Sequence, residues 1–225
     1  MTLLAQAQVP FTVVVEPQDM ATYQAAGWSC AVLPADDQGL PFARRHILTL
    51  AGASWLWMLD DDITALYRTV RGKCVPCPPA DALATSQEYF ASSPSIAQAA
   101  LEYQQFAWRA KQPYVRNGYC DVCVAIHTGR TRLLTYRNDC ALKEDRDFTL
   151  QVLAAGYATL RVTAYSFACP KNGSNAGGLA PLYATRGREA LASQRMAALW
   201  PGICKTVTKP DGRQDVAINW GYFRR

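Results

Sequence analysis

Short apolar runs alternate with segments of helical period along most of the chain. Phe11 to Glu16 reads FTVVVE, a β-branched run closed by Pro17, and predicts a buried first strand. A helix is expected from about Gln18 to Ala26, ended by Gly27, and Trp28 to Leu33 predicts a second strand. After the polar loop Pro34 to Pro41, Phe42 to Ala51 reads as a helix. Ser54 to Leu59, SWLWML, is too continuously apolar for a half-exposed strand and predicts one covered on both faces, as in a parallel sheet.

Beyond the Pro-rich stretch Cys74 to Pro79, apolar residues at Ile96, Ala99, Ala100, Tyr103, Phe106 and Ala107 predict a helix over Ser95 to Lys111. Tyr119 to His127 predicts a strand, Asp147 to Ala155 a helix ended by Gly156, and Leu160 to Cys169 a strand that runs into the glycine-rich KNGSNAGG. No internal repeat is visible. This alternation predicts an α/β fold, a mostly parallel central sheet flanked by helices. It is expected to be one domain over residues 1–225, with a Cys- and Pro-containing insertion at about 70–95. Such sheets bind ligands at the carboxyl ends of their strands.

Composition narrows the picture slightly. With 50% hydrophobic and 18% charged residues, the chain can bury one substantial core. No stretch approaches the roughly 20 apolar residues of a membrane span, and no signal peptide is evident, so a soluble cytoplasmic protein is expected. The formal charge of +5 favours a polyanionic or phosphate-bearing partner without identifying one.

The candidate chemistry begins at Asp60, Asp61 and Asp62, directly after the buried run. Residues two apart in an extended chain point the same way, so Asp60 and Asp62 can face one ligand. Adjacent carboxylates repel unless a cation neutralises them, and Mg2+ or Mn2+ takes oxygen ligands from a few carboxylates and substrate phosphates. The alternative is that an aspartate caps a helix beginning near Ile63. Glu144 and Asp145 open the later helix, whose N-terminus aims these acids at whatever lies above the sheet, although Asp145 also suits a helix N-cap. Gly173, Ser174, Asn175, Gly177 and Gly178 offer unobstructed backbone N–H groups to phosphate or sugar.

WLWMLDDDI resembles the Asp-x-Asp segment of GT-A glycosyltransferases, which holds the metal bridging the donor's phosphates. The order Asp-Asp-Asp, Glu-Asp at a helix start, then strand and Gly-Ser-Asn-x-Gly-Gly resembles the phage TET-associated glycosyltransferases, from about Phe11 to Trp220. VVVEPQDMATY and LPADDQGLPFARRHIL resemble the segments with which such enzymes hold a nucleotide. That likeness implies Glu16 for the nucleotide's base or ribose, Arg44 for phosphate, Asp60 on the donor side, and the Glu-Asp pair for the base that takes the acceptor proton, Asp145 preferred and Glu144 second. It further implies a GT-A (Rossmann-like) fold, a nucleotide-sugar donor such as a UDP-sugar, Mn2+ or Mg2+ at Asp60 and Asp62, and 5-hydroxymethylcytosine in DNA as acceptor. The location implied is the cytoplasm of an infected bacterial host, if the protein is phage-encoded. A GT-A enzyme with a non-DNA acceptor is the nearest alternative.

Arg130, Arg132, Arg137, Arg186, Arg188, Lys205, Lys209, Arg213, Arg224 and Arg225, with Tyr136, Trp220 and Tyr222, are compatible with DNA contact. A sugar-nucleotide pyrophosphorylase would need a glycine-rich signature between Phe11 and Tyr23, which is not there. Cys74-x-x-Cys77 and Cys120-x-x-Cys123 have the ligand types for a structural Zn2+ in a zinc-stapled DNA-binding module. In a strand, however, Cys120 and Cys123 point to opposite faces, so buried free thiols are the favoured reading. His46 and His127 read as ordinary structural histidines.

Overall fold

The computed structural model describes residues 1–170 and 187–223. After a short helix α1 (Thr2–Gln6), β1 (Val13–Val15) crosses through α2 (Met20–Ala25) to β2 (Cys30–Val32), and the two strands pair in parallel. Gly27, at φ +82°, turns the chain out of α2 as the sequence predicts. Gly39, at φ +78°, turns it into α3 (Leu40–Leu50), whose first turn contains Pro41.

Among the described residues, seven strands form the main sheet: β3 (Trp55–Leu59), β4 (Ala65–Val70), β5 (Lys73–Pro76), β6 (Ile96–Tyr103), β7 (Tyr114–Arg116), β8 (Cys123–His127) and β9 (Ala158–Ala168). Their order is β3-β8-β6-β9-β4-β5, with β7 also on β9. The α/β, GT-A-like class is the expected one, but its parallel pairings are β1–β2 and β6–β9, while the other pairs of this sheet are antiparallel. That departure from a mostly parallel sheet has a local cause at one edge. Arg71 and Gly72, both at positive φ, close β4 and β5 into a tight hairpin where a helical crossover would be needed for parallel pairing.

The helix expected over Ser95 to Lys111 is strand β6 followed by the single turn α5 (Gln104–Ala107). Residues 96–101 are all buried, with Ile96, Ala99 and Leu101 in one core and Ala97 and Ala100 in another. A register shift between Ile96 and Gln98 puts same-face residues three apart. That spacing imitates a helical period, and alanine's helix preference strengthens the imitation.

The segment at about 70–95 contributes β5 and α4 (Pro79–Glu88), and its Ala82, Leu83 and Phe90 join the larger core. β3 is covered on both faces as expected: Trp55, Trp57 and Leu59 pack on one core and Met58 in the other. The rest comprises α6 (Glu144–Ala154), α7 (Arg188–Leu199) and the hairpin of β10 (Cys204–Thr208) with β11 (Gln214–Ile218). Among the described residues, no helix is long and apolar enough to cross a membrane.

Candidate active site

β3 stops at Leu59 because three aspartates follow, whose short polar side chains favour turns over strands. Asp60 N–H donates to the Val122 carbonyl at 3.0 Å, fastening the first aspartate to the approach of β8. Asp61 and Asp62 form a turn, with Asp61 exposed and the other two half-buried. The chain then enters strand β4, so there is no helix near Ile63 for an aspartate to cap.

Arg44 lies one helical turn after Pro41, on the face of α3 that is buried. Its guanidinium is 3.2 Å from Asp60 Oδ1 and 3.4 Å from Glu144 Oε1, and it also contacts Asp145 Oδ1. Three carboxylates from two distant segments therefore converge on one cation that is 3% exposed. The Tyr136 ring, stacked on Phe148 at 4.3 Å, lies 5.6 Å from the same guanidinium. Burial opposes the Arg44 charge, yet Asp60, Tyr136 and Glu144 outweigh it and keep the guanidinium protonated.

Charge in the cluster is unbalanced. Burial pushes the Asp60 carboxyl up to about 6; Arg44 pulls it down, while Asp62 and Glu144 push it further up. The Asp60 side chain keeps 33% of its surface open, so water moderates this effect. Asp62 is raised by burial and then by Asp61, against a backbone hydrogen bond that lowers it. Glu144 Oε2 and the Tyr136 hydroxyl are buried with no hydrogen-bond partner among the described residues, two polar atoms that a bound ligand or water would satisfy.

Glu144 and Asp145 occupy the first turn of α6, where the positive end of the helix dipole favours anions. The N-cap is Lys143, so the capping role considered for Asp145 does not apply. The Glu144 side chain is 4% exposed and that of Asp145 16%, leaving Asp145 the more accessible. Asp147 is fully buried, bound by Arg137 and by Trp200 Nε1 at 2.8 Å, and has a structural role.

Glu16 follows β1 at its carboxyl end, where its carboxylate accepts from Gln18 Nε2 at 2.7 Å and from Asp37 N–H at 3.2 Å. It thereby ties the β1 loop to the loop after β2. Gly173, Ser174, Asn175, Gly177 and Gly178 lie outside the described residues, as do Arg186, Arg224 and Arg225.

Sequence reasoning missed Asp121. This buried carboxylate accepts from Tyr103 Oη at 2.6 Å and pairs with Arg161 at 3.1 Å, and Arg161 also pairs with Glu102 at 2.9 Å. Asp121 also helps to raise Asp60, so it backs the candidate site. Its signal was present: Asp121 is the one charged residue in the otherwise apolar run YCDVCVAI.

The predicted strand from Tyr119 starts at Cys123, because Val122 takes φ +60°. Cys123 lies in one core and Cys120 in the other, separated by the sheet, which opposes their joint use as zinc ligands. Among the described residues, no group of three or more His, Cys, Asp or Glu side chains is assembled to hold a metal. His127 pairs with Trp55, at the end of β3 opposite Asp60.

Several basic residues proposed for DNA are committed elsewhere. Arg130 donates to the Ser93 and Ile96 carbonyls, Arg137 holds Asp147, and Tyr136 is fully buried. Lys209 pairs with Asp215 and Arg213 with Asp211. Trp220 stacks on Tyr119 at 6.0 Å. Arg132, Arg188 and Lys205 are exposed.

The family model for TET-Associated Glycosyltransferase matches residues 1–178. The chain resembles a solved mycobacterial protein with a TM-score of 0.50 and 12% identity, covering 92% of this chain and 73% of the other, which shows a shared fold. It also resembles glucosyl-3-phosphoglycerate synthase from Mycobacterium tuberculosis, solved with Mn2+ and uridine-diphosphate-glucose, with a TM-score of 0.44 and 13% identity over 96% and 90% of the two chains. No curated protein sequence matches the chain.

Proposed function

Because this chain belongs to the TET-associated glycosyltransferase family, we propose that it moves a sugar from a UDP-sugar donor to the hydroxyl of 5-hydroxymethylcytosine in DNA, with inversion at the anomeric carbon. The supporting observation is the convergence of Asp60, Glu144 and Asp145 on Arg44, with Asp62 two residues from Asp60. Among the described residues, one guanidinium faces the three carboxylates Asp60, Glu144 and Asp145, a surplus of negative charge at this end of β3.

A divalent cation such as Mn2+ or Mg2+ fits that surplus, since Asp60 and Asp62 offer hard oxygen atoms and a diphosphate can complete the shell. When bound there, it would supply charge neutralisation to the departing diphosphate. Glu16 would serve the nucleoside end from the β1 loop. On the same reading, Gly173, Ser174, Asn175, Gly177 and Gly178 serve the sugar or phosphates.

Asp145, the more accessible acid, takes the proton from the acceptor hydroxyl. The hydroxyl oxygen forms the new bond to the anomeric carbon as the bond to the nucleoside diphosphate breaks on the opposite face. Arg44 offsets part of the acids' charge and holds Asp145 in register with Asp60, and buried Glu144 fixes that guanidinium from a third side.

The test combines purified protein, Mn2+, a panel of nucleotide sugars and DNA containing 5-hydroxymethylcytosine, followed by digestion and nucleoside mass measurement. The expected result is a sugar-sized gain that falls at least about 100-fold in Asp62→Ala, a metal contribution of several kcal/mol. Donor hydrolysis with no gain on any DNA would overturn the acceptor and leave the donor chemistry.

A further inference from the structure

Arg161 connects the acidic cluster to a second feature of the surface. Through Asp121 it backs the candidate site, and with Glu102 and Thr163 it floors a cleft of about 580 Å3. Phe106, Arg109, Lys111 and Tyr114 form the rim of that cleft. Glu102 is matched by Arg161, so the rim cations lack an acidic partner in the floor.

The rim combines two properties that a solvated loop has no need to combine. From Gln104 to Gly118 the chain carries three basic residues, no acidic residue and three aromatic ones, a composition that attracts a polyanion with flat apolar faces. Phe106 is 39% exposed, Tyr114 45% and Trp108 64%. The Arg109 guanidinium lies 5.2 Å from the Phe106 ring centroid and 5.0 Å from that of Trp108, joining the rings into one cationic surface.

This surface is held in place before any partner arrives. Trp108 Nε1 donates to the Gln105 carbonyl at 3.0 Å, which orients the indole. The N–H groups of Thr163 and Ala164 both donate to the Pro113 carbonyl at 2.9 Å, and β7 pairs with β9, so Tyr114 is anchored to the sheet. A preorganised platform loses little freedom on binding.

We infer that the α5–β7 face docks single-stranded DNA that flanks the acceptor nucleotide. This inference rests on the proposed DNA acceptor and names the form in which the DNA is held. Bases stacked inside a duplex cannot reach Trp108 or Tyr114, whereas unpaired bases can stack on them while Arg109 and Lys111 meet the phosphates. A purely apolar partner would leave those cations buried without compensation.

The test is fluorescence anisotropy with a labelled single-stranded oligonucleotide lacking 5-hydroxymethylcytosine and with the matching duplex. The single strand should bind at least about tenfold more tightly than the duplex. In the double variant Trp108→Ala with Arg109→Ala, single-strand affinity should fall by about 30-fold or more, and Trp108→Phe should stay within about threefold of the parent. Metal-dependent donor hydrolysis should be the same in all three proteins, which also shows that they are folded. Equal binding by the double variant, or a preference for duplex in the parent, would overturn the platform. Strand binding intact in a parent that transfers nothing overturns the transferase reading instead, so the two failures are distinguishable.

Discussion

The first turn of α6 takes part in two charge clusters of opposite composition. Glu144 and Asp145 turn towards Arg44, where one cation serves three carboxylates with Asp60 among them. Their neighbours Lys143 and Arg146 turn towards Asp215, where one carboxylate serves three cations, at 2.9 Å from Lys143, 2.8 Å from Arg146 and 2.6 Å from Lys209. The Asp215 carboxylate also accepts from Val216 N–H at 2.8 Å. Burial alone would raise its carboxyl, but the hydrogen bonds from Lys209 and Lys143 and the charge of Arg146 hold it well below the ordinary range. Asp60 moves the other way.

The difference separates a clamp from a candidate site. The Asp215 carboxylate is satisfied by the protein's own donors, while Lys143 has a second partner in Glu189 and Arg146 and Lys209 reach water, so this cluster fastens the β10–β11 hairpin to α6, which is a folding role. Among the described residues, the Arg44 cluster leaves negative charge unbalanced and the Glu144 Oε2 atom unpaired, so it improves electrostatically when a cationic or proton-bearing partner arrives. Adjacent side chains at one helix start thus do opposite jobs because the surrounding elements, Arg44 of α3 on one side and Asp215 of β11 on the other, supply opposite charge.

The largest expected effect tests the functional half of this contrast. Asp145→Asn should lower kcat for sugar transfer by about 10²–10⁴-fold, the usual worth of a positioned base, with the donor KM within about threefold. Steady-state kinetics checks this, and an unchanged kcat would assign the base elsewhere.

Stability measurements test both clusters at once. Arg44→Leu leaves buried Glu144 uncompensated and should destabilise the protein by about 3–5 kcal/mol in urea unfolding. Asp215→Asn leaves buried Lys143 with only its longer contact to Glu189 at 3.4 Å and should also destabilise, but its transfer rate per folded molecule should match the parent. Lost transfer in well-folded Asp215→Asn would show that the clamp is part of the site.

The pH dependence should have opposite signs in the two regions. The folded Asp60 carboxyl is raised to about 6, so without metal its contribution to stability is full below the unfolded value of about 3.9 and is lost as pH rises through about 6. The Asp215 carboxyl is depressed, so its contribution is present above about 3.9 and is lost as pH falls through its lower folded value. Unfolding free energies of parent, Asp60→Asn and Asp215→Asn from pH 3 to 8 would show each slope vanish in its own variant. The smallest effect is expected at Lys209, whose side chain is 40% exposed: Lys209→Ala should change stability by no more than about 1 kcal/mol. A larger loss would mean that the exposed cation carries the clamp.

Much of the N-terminal half was legible before the structure. The runs at β1, β2 and β3 and the glycine after α2 act through nearest-neighbour sterics and burial, which leave a local signal in the sequence. The aspartates announced themselves by standing beside a buried run. β6 was not legible, because a bulge gives a strand the spacing of a helix and alanine carries no strand preference to correct it. Sheet direction was hidden as well, since a run buried on both faces reads the same whether its neighbour is parallel or antiparallel.

By itself, then, the sequence determined which segments must be buried, where acidic residues interrupt them, and that the resulting α/β chain carries two acidic motifs. Tertiary structure decided that Arg44 joins those motifs, that Asp121 lies behind them and that Asp147 and Arg137 are spent on packing. The physical reason is range. Burial and turn preferences act within a few residues, whereas a carboxylate's charge state and its role depend on which cations the fold brings within about 4 Å from segments a hundred residues away.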